Sequence, residues 1–231
     1  MKVLYEGKTK DLLDMGDGNL LLKFKDTVTG AGGKIDPGAN QIMGEVTDKG
    51  KASFFTSLYF FNKLEELSIP THFVDADTQR CTMTVKAAES FGDGLEFICR
   101  RYAFGSFLRR YGRYASSMDE LPCLVEITLK DDERGDPLIN DDALLALGLL
   151  GEEELQKAKK LTVSITEAIE SILGEFDLRL VDAKYEFGRV GSDVVLIDEI
   201  SGDSMRVLDS SGSTLDQIGI YNALYGDRGG V

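Results

Sequence analysis

The chain is 231 residues long, and at roughly 150 residues per domain that is one large domain or two small lobes sharing a core. Its 42% hydrophobic and 29% charged residues describe a folded chain, neither a disordered tail nor a collagen-like repeat. Against 26 basic residues stand 40 acidic ones, a net charge of −14, and such a field repels nucleic acid and anionic lipid surfaces alike. The three cysteines, Cys81, Cys99 and Cys123, show no CxxC spacing, so neither a disulfide scaffold nor a zinc knuckle is indicated. With no long apolar run and no signal-peptide pattern after Met1, the expectation is a cytoplasmic protein.

In chain order, Lys2 to Tyr5 reads as a strand broken at Glu6-Gly7, and Leu20 to Phe24 as another, entered from the turn-forming Gly16-Asp17-Gly18-Asn19. The polar stretch from Asp26 to Gly50, including Asp36-Pro37-Gly38, is expected to be a long loop, either a ligand loop or a mobile one. Phe54, Leu58, Phe61, Leu64 and Leu67 recur with a helical period from Ala52 to Leu67, and Pro70 stops the helix. Strand patterns return at Cys81 to Val85, Leu95 to Cys99 and Leu124 to Leu129. Glu152 to Leu173 is the clearest helix, with Leu155, Ala158, Leu161, Ile165, Ile169 and Ile172 on one face and Gly174 as its expected C-cap. Leu180 to Phe187 and Val194 to Ile197 form a hairpin pattern, and Leu215 to Tyr225 a last helix. Strands, then helices, then strands again indicate α+β, without regular βαβ units.

The chemistry-bearing residues fall in three places. Lys8 and Lys10 flank Thr9 just past Gly7; a continuing strand would turn both lysines to one face, where a phosphate would meet two cations and a close backbone. In Asp182-Ala183-Lys184-Tyr185-Glu186-Phe187, alternation puts Asp182, Lys184 and Glu186 on one face. The apolar strand ending at Asp198-Glu199, paired beside it, would bring Glu186 and Asp198 within reach of one Mg²⁺. Arg100, Arg101, Arg109, Arg110 and Arg113 form a basic island around Gly105-Ser106, a receptor for a small anion. The single histidine, His72, is expected to be structural or surface-lying. Gly30-Ala31-Gly32-Gly33-Lys34 fails the phosphate-loop pattern because Ile35 stands where Ser or Thr should follow. Together these point to an ATP-dependent enzyme with an anionic co-substrate.

The sequence resembles the phosphoribosylaminoimidazole-succinocarboxamide synthase (SAICAR synthetase) family. The matching residues are Tyr5-Glu6-Gly7-Lys8-Thr9-Lys10, Lys49-Gly50, Ile69-Pro70-Thr71-His72-Phe73, Cys99-Arg100-Arg101 and Gly105-Ser106-Phe107-Leu108-Arg109-Arg110. They continue with Leu129-Lys130-Asp131-Asp132, Leu180 to Gly188, and Asp198-Glu199-Ile200-Ser201 with Asp203 and Arg206. The resemblance implies a two-lobed α+β fold: residues 1–85 a small β-rich ATP-binding lobe, residues 86–231 a larger lobe with an antiparallel sheet and packed helices. It implies a ligase that activates an aminoimidazole ribonucleotide carboxylate with ATP, as an acyl phosphate, and joins it to L-aspartate.

On that pattern Lys8, Lys10, Lys184 and Glu186 bind the nucleotide and Glu186 and Asp198 hold Mg²⁺. Arg100, Ser106 and Arg206 bind the ribonucleotide, and Lys184 and Asp203 stand at the reacting centre. The partners implied are small molecules, with no nucleic acid and no membrane, in a monomer or homodimer. The pattern is broken where Lys51-Ala52-Ser53-Phe54-Phe55 replaces an amide-and-lysine stretch, where Gly202 replaces a common Pro, and where Leu208 replaces a common Trp. Phenylalanines in a substrate wall would fit a paralogous ligase using another azole acid or amine; a non-catalytic nucleotide-binding protein is the remaining alternative.

Overall fold

The computed structural model describes residues 1–36, 39 and 41–226; Pro37 and Gly38 of the expected loop lie outside them. Strands β1 (Lys2–Glu6), β2 (Lys10–Asp14) and β3 (Asn19–Phe24) form an antiparallel meander. The first strand does not continue through the lysines. The Gly7 N–H donates to the Lys10 carbonyl (2.9 Å), so a turn separates Lys8 from Lys10, which opens β2. Strands β4 (Thr27–Ala31), β5 (Lys34–Ile35) and β6 (Gln41–Glu45) build a small sheet in the order β5-β4-β6, where a loop was expected. The reason is local: Thr27, Val28 and Thr29 favour extended backbone, and Gly32 and Gly33, both at positive φ, supply a two-residue hairpin turn.

Helix α1 (Lys49–Glu66) begins ahead of Ala52, its N-cap Asp48 in the left-handed region. Strands β7 (Phe73–Asp77) and β8 (Thr82–Lys86) complete a five-stranded sheet in the order β1-β2-β3-β8-β7. After β9 (Glu89–Ser90) come β10 (Leu95–Tyr102), α2 (Gly105–Tyr111), β11 (Glu120–Leu129) and α3 (Asp141–Ala146). Helix α4 (Glu152–Gly174) takes in Gly174 as its last helical residue, so Gly174 is not the expected C-cap: Glu175 caps in right-handed conformation, and the left-handed residue is Asp177. Strands β12 (Arg179–Val190), β13 (Asp193–Ile197), β14 (Met205–Leu208) and β15 (Thr214–Leu215) precede α5 (Gln217–Tyr225), which starts where the Asp216 carboxylate accepts from the Gly219 N–H (2.7 Å).

The second large sheet runs β11-β10-β12-β14-β15, with β13 and β9 also pairing to β12. Its inner face carries Phe97, Cys99, Ala183, Tyr185 and Phe187 against Leu155, Ala158, Ile165 and Ile169 of α4, all buried. Among the described residues no helix is long and apolar enough to cross a membrane.

The phenylalanines of α1 belong to the core. Phe54 is fully buried, its ring edge-on to Phe24 (5.7 Å) and Phe55 (5.0 Å), and Phe55 packs against Tyr221 and Tyr225 of α5. The expectation that they form a substrate wall is therefore overturned. The helical period turns them to the inner side of α1. Leu208 is likewise buried, and a Cβ on Gly202 would lie 2.9 Å from Gln217 Cα.

His72 does not lie on the surface. It is buried, its N–H donates to the Leu196 carbonyl (2.8 Å), and its Nε2 lies 3.0 Å from the Asp198 carbonyl. Burial pushes its pKa down to about 4, with the Asp198 charge opposing. The unfolded chain takes up this proton near 6.5, so stability falls as pH drops from about 6.5 towards 4, by an amount on the order of 3 kcal/mol. Urea unfolding at about pH 7 and about pH 4.5 should show a smaller difference for His72→Gln than for the parent. By the same measurement, Phe54→Ala should cost about 3–5 kcal/mol, as a buried ring deleted from a core.

Candidate active site

A cleft of about 600 Å³ opens between the five-stranded sheet and the outer face of the larger one. Strand β12 makes its floor by alternation. Ala183, Tyr185 and Phe187 enter the core, while Asp182, Lys184 and Glu186 line the cleft. Glu186 pairs with Ile197, the last residue of β13, so Asp198 leaves the sheet beside it.

Three lysines interleave with four carboxylates here. Lys184 Nζ lies 3.0 Å from Glu186 Oε1, 3.5 Å from Glu96 Oε1 and 3.7 Å from Asp198 Oδ2. Lys130 Nζ donates to both Glu186 oxygens (2.8 and 2.9 Å). Lys10 Nζ reaches Asp198 Oδ1 at 2.9 Å and Glu199 Oε1 at 2.7 Å. Burial by itself would raise the Asp198 carboxyl; Lys10, Lys184 and Lys130 outweigh it and hold the group ionised, well below the usual range. Glu186 is lowered in the same way, burial being outweighed mainly by Lys184. Burial would likewise neutralise Lys10 and Lys184, yet both are raised, Lys10 by Asp198 and Glu199, and Lys184 by Glu186, Glu96 and Asp198. Lys10, Lys184, Glu186 and Asp198 therefore stay charged. Lys8 sits nearer the rim and pairs with Asp132 (2.7 Å).

At the other end lies the arginine group. Arg100, buried, uses its whole fork: Nε to Glu126 (2.6 Å), one terminal nitrogen to Asp182 (3.1 Å) and the other to Ser106 Oγ (2.9 Å). Arg206 grips both Asp182 oxygens (2.9 and 2.7 Å) and turns its second terminal nitrogen to Asp36 (2.7 Å). Gly105 has φ 53, and a Cβ there would stand 3.2 Å from the Arg206 guanidinium, so a side chain at 105 would displace that cation. Arg109 and Arg110 also line the cleft, and Arg110 pairs with Glu126.

The five-arginine island is thus not one receptor. Arg101, the next residue on β10, faces away to Glu170 (2.9 Å), and Arg113 is exposed outside the cleft.

Asp203 closes the cleft between these ends. It pairs with buried Lys49, accepts from Ser53 Oγ (2.8 Å) and Gln217 Nε2 (3.0 Å), and its N–H donates to Ser201 Oγ (3.0 Å). Burial raises its pKa, Glu199 adding to the effect and Lys49 opposing it. Ser201 Oγ in turn donates to Glu199 (2.7 Å), which ties this group to Lys10.

The cleft brings together Lys8, Lys10, Arg100, Ser106, Lys184, Glu186, Asp198, Asp203 and Arg206. Sequence reasoning gave no role to Lys130, Glu96, Glu199 or Lys49. Lys130 and Lys49 stood in quoted motifs, but each finds its carboxylate on a distant element, and no local period signals that. Among the described residues no group of three or more His, Cys, Asp and Glu is arranged to hold a metal. Glu186 and Asp198, both facing Lys184 Nζ, are nonetheless a hard-oxygen pair suited to Mg²⁺, which is commonly held by one or two carboxylates with phosphate and water completing its shell.

Comparison with known proteins agrees with this architecture. A family model described as SAICAR synthetase matches residues 3–219. The phosphoribosylaminoimidazole-succinocarboxamide synthase of Clostridium tetani is 49% identical over 208 residues, covering 89% of this chain and 92% of that protein. The synthase of Methanoregula boonei is 36% identical over 229 residues, 98% of this chain and 84% of its own. A solved SAICAR synthetase (Type-2) in complex with ADP superposes with a TM-score of 0.85 at 29% identity, over 98% of this chain and 97% of the other. The synthase structure from Ehrlichia chaffeensis gives 0.83 at 27% identity, over 98% and 95%. Two-lobed, α+β and with its cleft between antiparallel sheets, the chain belongs to the SAICAR synthetase family.

Proposed function

We propose that the chain catalyses the ATP-dependent joining of 5-amino-1-(5-phospho-D-ribosyl)imidazole-4-carboxylate to L-aspartate, giving SAICAR, ADP and phosphate. A carboxylate oxygen attacks the γ-phosphorus and the bond to the ADP oxygen breaks, leaving an acyl phosphate. The aspartate amine then attacks the acyl carbon, phosphate departs with the C–O bond electrons, and the nitrogen loses a proton. The observation that carries this reading is the interleaving of Lys10, Lys184 and Lys130 with Glu186 and Asp198: charges that burial would otherwise neutralise are kept ionised in a cleft. Phosphoryl transfer asks for such positioning and electrostatics and for no protein nucleophile.

In this assignment Lys8 and Lys10 contact the ATP phosphates from the turn after Gly7, and Lys184 stands at the transferred group. Glu186 and Asp198 hold Mg²⁺, which when bound offsets charge on the phosphates. Arg100, Ser106 and Arg206 hold the ribonucleotide's anionic groups, Asp182 fixing both guanidinium planes. Asp203, held by Lys49 and Ser53, shapes the pocket where the reactants meet. Residues 1–85 form the nucleotide lobe and 86–231 carry the remaining substrate and metal groups, a division supported to within a residue by the five-stranded sheet, whose last strand in the chain, β8, ends at Lys86. Small phosphorylated substrates suit a cytoplasmic enzyme. The purine substrate is favoured over another azole acid because none of residues 51–57 lines the cleft.

Steady ADP release on mixing protein, Mg·ATP, the carboxy-aminoimidazole ribonucleotide and L-aspartate is the expected result; absence of turnover with that pair, and turnover with other acids or amines, would replace this reading. Lys184→Met should lower kcat about 10²–10³-fold, the scale of losing one preorganised charge at the transferred group. Asp198→Asn should lose Mg²⁺-dependent turnover and also lower the urea midpoint, because Lys10 and Lys184 lose a buried partner. Arg100→Lys, which cannot reproduce the fork, should raise KM for the ribonucleotide more than it lowers kcat.

A further inference from the structure

At the arginine end of the cleft, side chains of alternating charge form one continuous row. Arg110 of α2 reaches Glu126 of β11 (2.5 Å), Glu126 holds Arg100 of β10 (2.6 Å), and Arg100 holds Asp182 of β12 (3.1 Å). Asp182 then takes Arg206 of β14, and Arg206 takes Asp36, each at 2.7 Å. The large sheet lays down the middle of this row: Arg100 stands opposite Asp182 and Asp182 opposite Arg206, and Glu126, opposite Ile98, shares their face.

Asp36 is the exception. It follows β5 of the small separate sheet, where its N–H donates to the Thr29 carbonyl (3.1 Å) and its carbonyl accepts from Thr29 Oγ1 (3.3 Å). Its carboxylate therefore enters the row from outside the large sheet. Its side chain is 30% exposed, against 4% for Asp182 and 8% for Glu126. Nor does Arg206 need Asp36 in order to stand where it does. Both Asp182 oxygens fix one terminal nitrogen, the Phe104 ring centre lies 5.7 Å from the guanidinium carbon, and Gly105 makes room by lacking a side chain. A carboxylate that adds no needed orientation, yet occupies a donor of this arginine, competes with any other anion for that donor.

We propose that Asp36 is a built-in substitute for the substrate anion: it holds the Arg206 terminal nitrogen in the free protein and yields it to the phosphate ester of the incoming ribonucleotide. This rests on the assignment of Arg206 to the ribonucleotide made above. No covalent bond changes; one charge-assisted hydrogen bond to a carboxylate is exchanged for one to a phosphate oxygen. The doubly charged phosphate gains more from the guanidinium than a carboxylate does, and repulsion between the two anions drives Asp36 off. Asp182 cannot yield in this way, because its departure would strip a buried partner from Arg100 and Arg206 together. Asp36 thereby sets the affinity of the site, which is lowered in proportion to the share of molecules in which it holds the donor.

Calorimetric titration with ribose 5-phosphate, which carries the phosphate ester but no azole, tests this without reference to turnover. Asp36→Asn should bind it about three- to tenfold more tightly than the parent, and Asp36→Ser should do the same. The gain should vanish when Asp36→Asn is combined with Arg206→Met. Asp93→Asn, which removes the same charge from another part of the cleft wall, should shift the affinity less than about twofold. Unchanged or weaker binding in both Asp36 variants means that the carboxylate supports Arg206 instead of competing for it, and overturns the proposal. An equal gain in Asp93→Asn, a gain that survives the loss of Arg206, or no detectable binding by the parent and Asp36→Asn alike overturns it too. A gain at Asp36 in a protein that fails to join the carboxy-aminoimidazole ribonucleotide to L-aspartate would keep this role for Asp36 and remove the reaction assigned above.

Discussion

Strand β12 buries Ala183, Tyr185 and Phe187 against α4 and turns Asp182, Lys184 and Glu186 into the cleft, and the rest of the molecule is arranged around that division. It hydrogen-bonds to β10 and β14 along its first half and to β13 and β9 along its second, so its register is fixed by four neighbours. A slip of one residue would send three charged side chains into an apolar core and three core residues into the cleft, which the core does not permit. The aromatic packing beneath the sheet, Phe97 edge-on to Phe187 at 5.2 Å, thus holds the charged residues above it in place.

The charges above that core are mutually dependent. Burying a single carboxylate or ammonium costs several kcal/mol, and it would neutralise first. The two central carboxylates face opposite charges from more than one element: Asp198 from β2 and β12, Glu186 from β12 and from Lys130 just past β11. Such compensation joins the two sheets across the cleft and sets a charged end beside apolar walls that include Leu12, Leu20, Leu22 and Val85. The net charge of −14 excluded a nucleic-acid binder on general grounds but says nothing against a nucleotide, because the cations that matter are concentrated at this one place.

Much of this was legible in the sequence because it is local. Alternation displayed the two faces of β12, the run ending in Asp198-Glu199 announced the end of β13, and the period of Leu155 to Ile172 gave α4. What could not be read is non-local or rests on small residues. Lys130 meets Glu186 from another strand, and Lys49 meets Asp203 across the chain. The small sheet of β4 to β6 was hidden because its glycines read as loop until their place in a hairpin turn is known. Alternation also separates Arg100 from Arg101, a division that counting basic residues overlooks. Phe54 and Phe55 misled for a related reason: a departure from a family pattern tells that a position changed, and only the fold tells which way it faces.

Asp198 adopts φ 68, a left-handed conformation, at the point where β13 ends, and His72 Nε2 meets its carbonyl there. For a residue other than glycine this conformation costs about 1–2 kcal/mol. Relaxing that turn with a glycine would ease the backbone while removing the carboxylate that faces Lys10 and Lys184. Those two lysines would then be left with less opposing charge in a buried site, a loss of about 3–5 kcal/mol that exceeds the backbone gain. The strained turn is therefore held by the charges it presents, and backbone conformation alone would misjudge which side chain this position needs.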